Sequence, residues 1–164
     1  MRTLRFLIVA LVTLCLTAPL SAADSKSNAG WEKLKSLAGD WEGTEDGKPF
    51  RVSYKVVSSG TAVMETLDGP DAMQMITIYH PDGGSLLMTH YCSMGNEPRM
   101  RSKGLENGKL AFTYVDAANL KSKDEMRMTG LVLTFKDADH LQAEWAHSAA
   151  GKEGLGRFEF ARVK

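Results

Sequence analysis

The residues best equipped for chemistry lie in one short stretch, Met88-Thr89-His90-Tyr91-Cys92, followed closely by Gly95-Asn96-Glu97-Pro98-Arg99-Met100. Extended backbone sends alternate side chains to opposite faces, so Met88, His90 and Cys92 are expected on one side and Thr89 and Tyr91 on the other. A thioether, an imidazole and a thiol on one face could ligate a soft metal, activate a thiol or line a pocket, and the residue types alone do not choose among these. A thiol enzyme would need Cys92 partly exposed, a cation to lower its pKa and a base within reach. His90 is the candidate base, but it stands two residues away, roughly 7 Å along an extended strand. Arg99 arrives through a short turn and could come beside His90 or Cys92. The plainer role for Asn96 and Arg99 is turn closure and a strand-end ion pair.

The elements that must position these groups read as short strands. Runs rich in β-branched and aromatic residues fall at 41–44, 50–57, 61–67, 73–80, 85–92, 99–105, 110–116, 126–135, 140–147 and 156–162. Turn signals separate them, among them Asp46-Gly47, Ser59-Gly60, Asp68-Gly69-Pro70, Pro81-Asp82-Gly83-Gly84 and Asn107-Gly108. About ten strands so spaced predict an all-β fold, an antiparallel up-and-down barrel, since closure removes exposed sheet edges. Ahead of them, Trp31, Leu34 and Leu37 have the spacing of one face of a short helix that Gly39 ends, and Asp24 to Gly30 reads as a flexible leader.

The first residues look like an export signal. Arg2 and Arg5 precede an uncharged, mostly apolar run from Phe6 to Leu16, and Ser21-Ala22-Ala23 offers small residues before a cut ahead of Asp24. This divides the chain into a signal peptide (1–23), a leader with a short helix (24–36) and a barrel domain (37–164). The apolar run is too short for a membrane span, which needs about 20 residues, so no transmembrane segment is expected after cleavage. The expected destination is the periplasm or the exterior. Cys15 leaves with the signal, which makes Cys92 a lone thiol in an oxidising compartment. Its plainest reading is a small buried hydrophobe. Loss of Arg2 and Arg5 leaves 18 basic residues against 20 acidic ones, and a near-neutral chain without a basic run argues against a nucleic-acid partner.

Strand parity indicates which side chains point inward. Phe50, Val52, Tyr54 and Val56 share one face; Leu110, Phe112 and Tyr114 share another; Leu141, Ala143, Trp145 and His147 a third; and Phe158 and Phe160 a fourth, with Arg162 on the same side. Methionine is frequent: besides the initiator the chain holds Met64, Met73, Met75, Met88, Met94, Met100, Met126 and Met128. Methionine fills irregular space, so these residues read either as a soft core or as a pliable cavity wall. A copper-binding cluster is a third reading, because thioether, imidazole and thiolate suit a soft ion, but no compact Met-x-Met or His-x-His ladder accompanies Met88, His90 and Cys92 beyond Met73-Gln74-Met75 and Met126-Arg127-Met128. The chain has no covalent haem motif, phosphate-binding glycine loop or Gly-x-Ser-x-Gly elbow.

Leu37-Ala38-Gly39-Asp40-Trp41-Glu42-Gly43 resembles the Gly-x-Trp start of lipocalin-like, calycin-type barrels. In those barrels the tryptophan plugs one end and an arginine near the last strand covers it, which points to Trp41 and Arg162 here. More specifically, the chain resembles a group of bacterial secreted lipocalin-like proteins through His90-Tyr91-Cys92, Gly95-Asn96-Glu97-Pro98-Arg99-Met100, Asp137-Ala138-Asp139-His140-Leu141 and Glu144-Trp145. The resemblance implies a fold rather than an activity. It departs where members carry glutamine in place of Glu97, and where histidines flank the methionine that Arg127 and Thr129 flank here. A metal site built on that histidine pair could not form. The similar barrels of nitrobindin-type proteins hold haem through a histidine, for which His147 is the candidate.

These readings favour an exported barrel that binds a small apolar ligand of unspecified identity, with Tyr54, Met88, His90, Cys92, Asn96, Arg99, Phe112, Tyr114 and Trp145 as candidate wall and polar residues. No resident metal or cofactor is assigned. A thiol enzyme using Cys92 and His90 is the alternative, followed by a haem- or metal-binding barrel and by a ligand-free envelope interaction module.

Overall fold

The computed structural model describes residues 22–45 and 47–164. Most of the expected signal segment lies outside them. The chain runs α1 (Ala22–Ser36), β1 (Gly39–Glu45), β2 (Lys48–Val57), β3 (Ala62–Asp68), β4 (Gln74–Asp82), β5 (Ser85–Tyr91), β6 (Glu97–Ser102), β7 (Leu105–Glu106), β8 (Lys109–Ala118), β9 (Arg127–Phe135), β10 (His140–Ala149) and β11 (Lys152–Arg162). Each long strand pairs antiparallel with its neighbours in sequence, β1 also pairs with β11, and β6 pairs with β8. Ten strands therefore close an up-and-down barrel, while β7 is a two-residue ladder hanging on β8. Closure leaves no long edge open to further pairing.

Alternation along the strands fills the interior. Val63, Tyr79, Leu86, Met88, Met100, Leu110, Leu133 and Leu141 are buried, with Val52, Phe112, Leu131, Phe158 and Phe160 among them. On β5, Met88 and His90 point inward while Tyr91 is exposed, and Cys92, just beyond the strand end, is buried. Parity fails at two positions. Val56 is exposed because it lies at the end of β2, beside the turn into β3 and beyond the last packed layer. Tyr114 is 37% exposed, next to a bulge that leaves Val115 outside the β6–β8 register, and the Arg127 guanidinium lies 5.6 Å from its ring centre.

The helix closes one end, here termed the base. It is longer than expected: Asp24 to Gly30 is helical rather than a flexible leader. Its inward stripe, Ser27, Gly30 and Leu34, begins with small residues. Ser27 Oγ donates to the Ser85 carbonyl (3.1 Å), and Lys26 pairs with Glu106 (2.9 Å). A Cβ on Gly30 would stand 2.8 Å from Leu110 Cδ2 and 3.0 Å from Leu86 Cδ1, so the helix can sit this close only because the residue is glycine.

At the same end Trp41 plugs the barrel and donates Nε1–H to the Leu37 carbonyl (2.8 Å). The Arg162 guanidinium lies 4.2 Å from the centre of its indole. Its remaining N–H groups donate to the carbonyls of Ser36 (2.9 Å), Ala38 (2.8 Å) and Ala138 (3.2 Å). One side chain thus satisfies carbonyls at the helix C-terminus, which would otherwise be orphaned, and ties them to β11 and the β9–β10 turn.

Candidate functional site: a sulfur-rich cavity at the barrel mouth

Away from the helix the barrel stays open. A cavity of about 300 Å³ lies there between the ends of β1, β2, β4, β5, β9, β10 and β11. Met73, Met75, Met94, Met126 and Met128 line it with Cys92, together with Phe50, Trp145 and Phe158. The two Met-x-Met pairs, far apart in sequence, meet in this one cavity. Its volume is near the lower end for small-molecule sites, and its wall is mostly apolar.

Two glycines on β11 shape the rim. Gly154 stands opposite His147 and Gly156 opposite Trp145. The His147 imidazole rests on Gly154 and the Glu45 carboxylate on Gly156, where a side chain would collide with either. Because the Nε2–Cε1 edge of His147 faces the β11 backbone, that imidazole does not present Nε2 to a haem iron. The residues present therefore do not fit the haem arrangement that the nitrobindin-type resemblance implies.

The turn carrying Cys92 is fixed by backbone and amide hydrogen bonds. Cys92 N–H donates to the Asn96 carbonyl (3.1 Å) and Gly95 N–H to the Cys92 carbonyl (2.8 Å). Asn96, fully buried, donates Nδ2–H to the Met126 carbonyl (2.8 Å), and Asn119 donates to the Gly95 carbonyl (2.5 Å). These contacts fold the long β8–β9 connection onto the β5–β6 turn. Asn96 is thus a strut behind the cavity wall.

Arg99 points the other way. Thr89 is its cross-strand partner on the outer face, and its guanidinium makes a two-pronged ion pair with Asp116 in solvent. It cannot serve His90 or Cys92, because a one-residue step along β6 from the inward Met100 reverses the face. Of the other expected wall residues, only Cys92 and Trp145 line the cavity. Tyr54, Met88 and Phe112 lie in the packed interior, and Tyr114 lies outside the lining.

His90 belongs to a polar layer inside the barrel that includes a buried carboxylate, Glu65. Tyr79 donates to Glu65 Oε2 (2.8 Å), Thr77 to Glu65 Oε1 (3.3 Å), and Tyr54 is a further hydroxyl partner. Burial pushes the Glu65 carboxyl up, and the three hydroxyl donors oppose this only in part. Burial and the adjacent Glu65 charge hold both tyrosines well above their ordinary range. Thr77 Oγ1 also lies 2.9 Å from His90 Nδ1, and the imidazole packs 4.7 Å from the Trp145 ring, which lines the cavity. Burial lowers the His90 pKa to about 4, so the ring is neutral near pH 7.

The proton count couples these groups. An ionised Glu65 takes the single Thr77 proton, so Thr77 accepts from His90 Nδ1–H and Nε2 is a bare acceptor. A protonated Glu65 lets Thr77 donate to Nδ1 instead, and Nε2 then carries the proton. In either case Nε2 is buried without a hydrogen-bond partner in the protein. Parity could have flagged this layer, since Glu65 falls on the inward face of β3 between Val63 and Leu67.

Cys92 is 8% exposed. Its thiol should react with a bulky maleimide at least about tenfold more slowly in the native protein than after unfolding. Labelling rates in buffer and in urea measure this, and equal rates would show an open thiol.

No helix among the described residues is long and apolar enough to cross a membrane. Compared with known proteins, the chain matches no family profile and no curated protein.

Proposed function

We propose that this chain is an exported, lipocalin-like protein that binds a small, largely apolar molecule in the mouth cavity. One observation carries the reading. The barrel is packed with side chains from the helix upward, yet it stops short of the mouth and leaves about 300 Å³ walled by methionine and aromatic groups. Methionine side chains repack at little cost, which suits a wall that accommodates a guest of variable shape. Export is supported by the charged start, the apolar run and the small residues before Asp24.

Protein purified from an exporting host, examined by native mass spectrometry together with its absorption spectrum, should retain a small guest and begin at or near Asp24. An anilinonaphthalene sulfonate dye should bind saturably and quench Trp145. Met128→Trp, which adds volume to the lining, should weaken the dye by about tenfold or more, a difference of at least about 1.4 kcal/mol. Equal dye affinity in both proteins would remove the cavity from consideration.

A further inference from the structure

The lining of the mouth cavity is rich in one element. Six of its thirteen lining residues carry sulfur, and five of the nine methionines in the chain converge there. A rigid apolar guest alone does not require this, because leucine and phenylalanine would wall a fixed hydrophobic shape equally well.

The fold brings three of the sulfur-bearing residues to the cavity on directly connected stretches of backbone. The β4–β5 register, which sets Ile76 opposite Tyr91, carries Met75 on β4 and Cys92, just past the end of β5, to the mouth. Met126 is joined to Cys92 through Asn96, whose carbonyl accepts from Cys92 N–H (3.1 Å) and whose amide donates to the Met126 carbonyl (2.8 Å). Side chains of all three enter the same space. The framework around them is fixed by hydrogen bonds, while the thioether arms remain flexible.

We propose that this cavity binds a soft monovalent cation, Cu(I), through the Met75 and Met126 thioethers and the Cys92 sulfur. Thioether and thiolate donors select Cu(I) over harder ions. Among the described residues no three His, Cys, Asp or Glu side chains group as a metal site, so this donor set does not suit zinc, calcium or magnesium. The inference rests on reading the cavity as a ligand site and goes beyond the apolar guest by adding an ionic one.

The test uses the full mature chain under anaerobic, reducing conditions. Cu(I) is titrated in competition with a sulfonated bathocuproine chelator, and Ag(I), a redox-inert analogue, is followed by native mass spectrometry. One ion per chain should be retained against the chelator. Met75→Leu combined with Met126→Leu nearly conserves volume and should keep the fold. It should weaken Cu(I) by at least about tenfold, the lower end of what supporting residues alone cost a metal site. Met64→Leu, on a strand face away from the cavity, should bind as the wild type does.

Failure to hold Cu(I), or equal retention by the double variant with its fold verified by circular dichroism, overturns the proposal. If the anilinonaphthalene dye still binds, the cavity reading survives that failure. If neither guest binds, both readings fall.

Discussion

Trp41→Ala is expected to cost about 4 kcal/mol of folding stability, within the range for removing a buried aromatic side chain. The indole is almost completely enclosed, and three interactions depend on it: the plug it forms at the base, the hydrogen bond to the Leu37 carbonyl, and the surface on which Arg162 lies. Truncation would leave a void beneath a guanidinium that is still held by three carbonyls, so the base cannot collapse to fill it. A domain of this size is stable by about 5–15 kcal/mol in total, so the loss would be a large share of it. Trp41→Phe keeps most of the volume and should lose only about 1 kcal/mol with the indole hydrogen bond. Urea midpoints of the three proteins at pH 7 decide the matter. A Trp41→Ala loss below about 1 kcal/mol would mean that the base is not built around this residue.

The base was legible in the sequence because both of its signals are local. Trp41 stands two residues after Gly39, the glycine that opens β1 just past the helix, and Arg162 shares the parity of Phe158 and Phe160. The strands were legible for similar reasons: β-branched runs, aromatic residues and turn dipeptides recur at the spacing of hairpins. The first half of α1 was not. Its inward positions are Ser27 and Gly30, and close packing against β5 and β8 rewards small side chains there, while periodicity analysis looks for large apolar ones.

The site was legible only in part. Parity placed His90 and Cys92 inside, but it could not say that the barrel packs solid around Tyr54, Met88 and Phe112 and opens only above them. Depth in a barrel depends on all ten strands at once, and no single run contains it. Likewise the folding of the β8–β9 connection onto the β5–β6 turn through Asn96 joins residues about thirty positions apart. That contact delivers Met126 to Cys92, and nothing in the local sequence predicts it. Arg99 stands away from the cavity for a simpler reason: its strand begins at Glu97, and Met100, not Arg99, occupies the inward position.

The buried polar layer should give stability a pH dependence with two opposed components. His90 has a folded pKa of about 4 against an ordinary value of 6.5. Above pH 6.5 the ring is neutral in both states and contributes no slope. As pH falls from 6.5 to 4 the unfolded chain takes up a proton that the folded chain refuses, so stability drops by up to about 3 kcal/mol. Glu65 acts in the other direction, because its folded pKa is raised above the usual 4.5. Its contribution is full below pH 4.5 and is lost as pH rises through the raised folded value. In the wild type the two slopes partly offset each other above pH 4.5, where the Glu65 window overlaps that of His90. Substitutions should separate them. His90→Gln should remove the imidazole's share of the decline between pH 6.5 and 4, and Glu65→Gln should steepen the decline, because the opposing carboxyl is gone. Denaturant midpoints at pH 7, 5.5 and 4 measure the slopes, and the His90 ring proton followed by NMR gives the titration directly. A His90 midpoint above pH 6, or parallel stability profiles for wild type and His90→Gln, would show that the imidazole is solvated rather than buried in the Glu65–Thr77 layer.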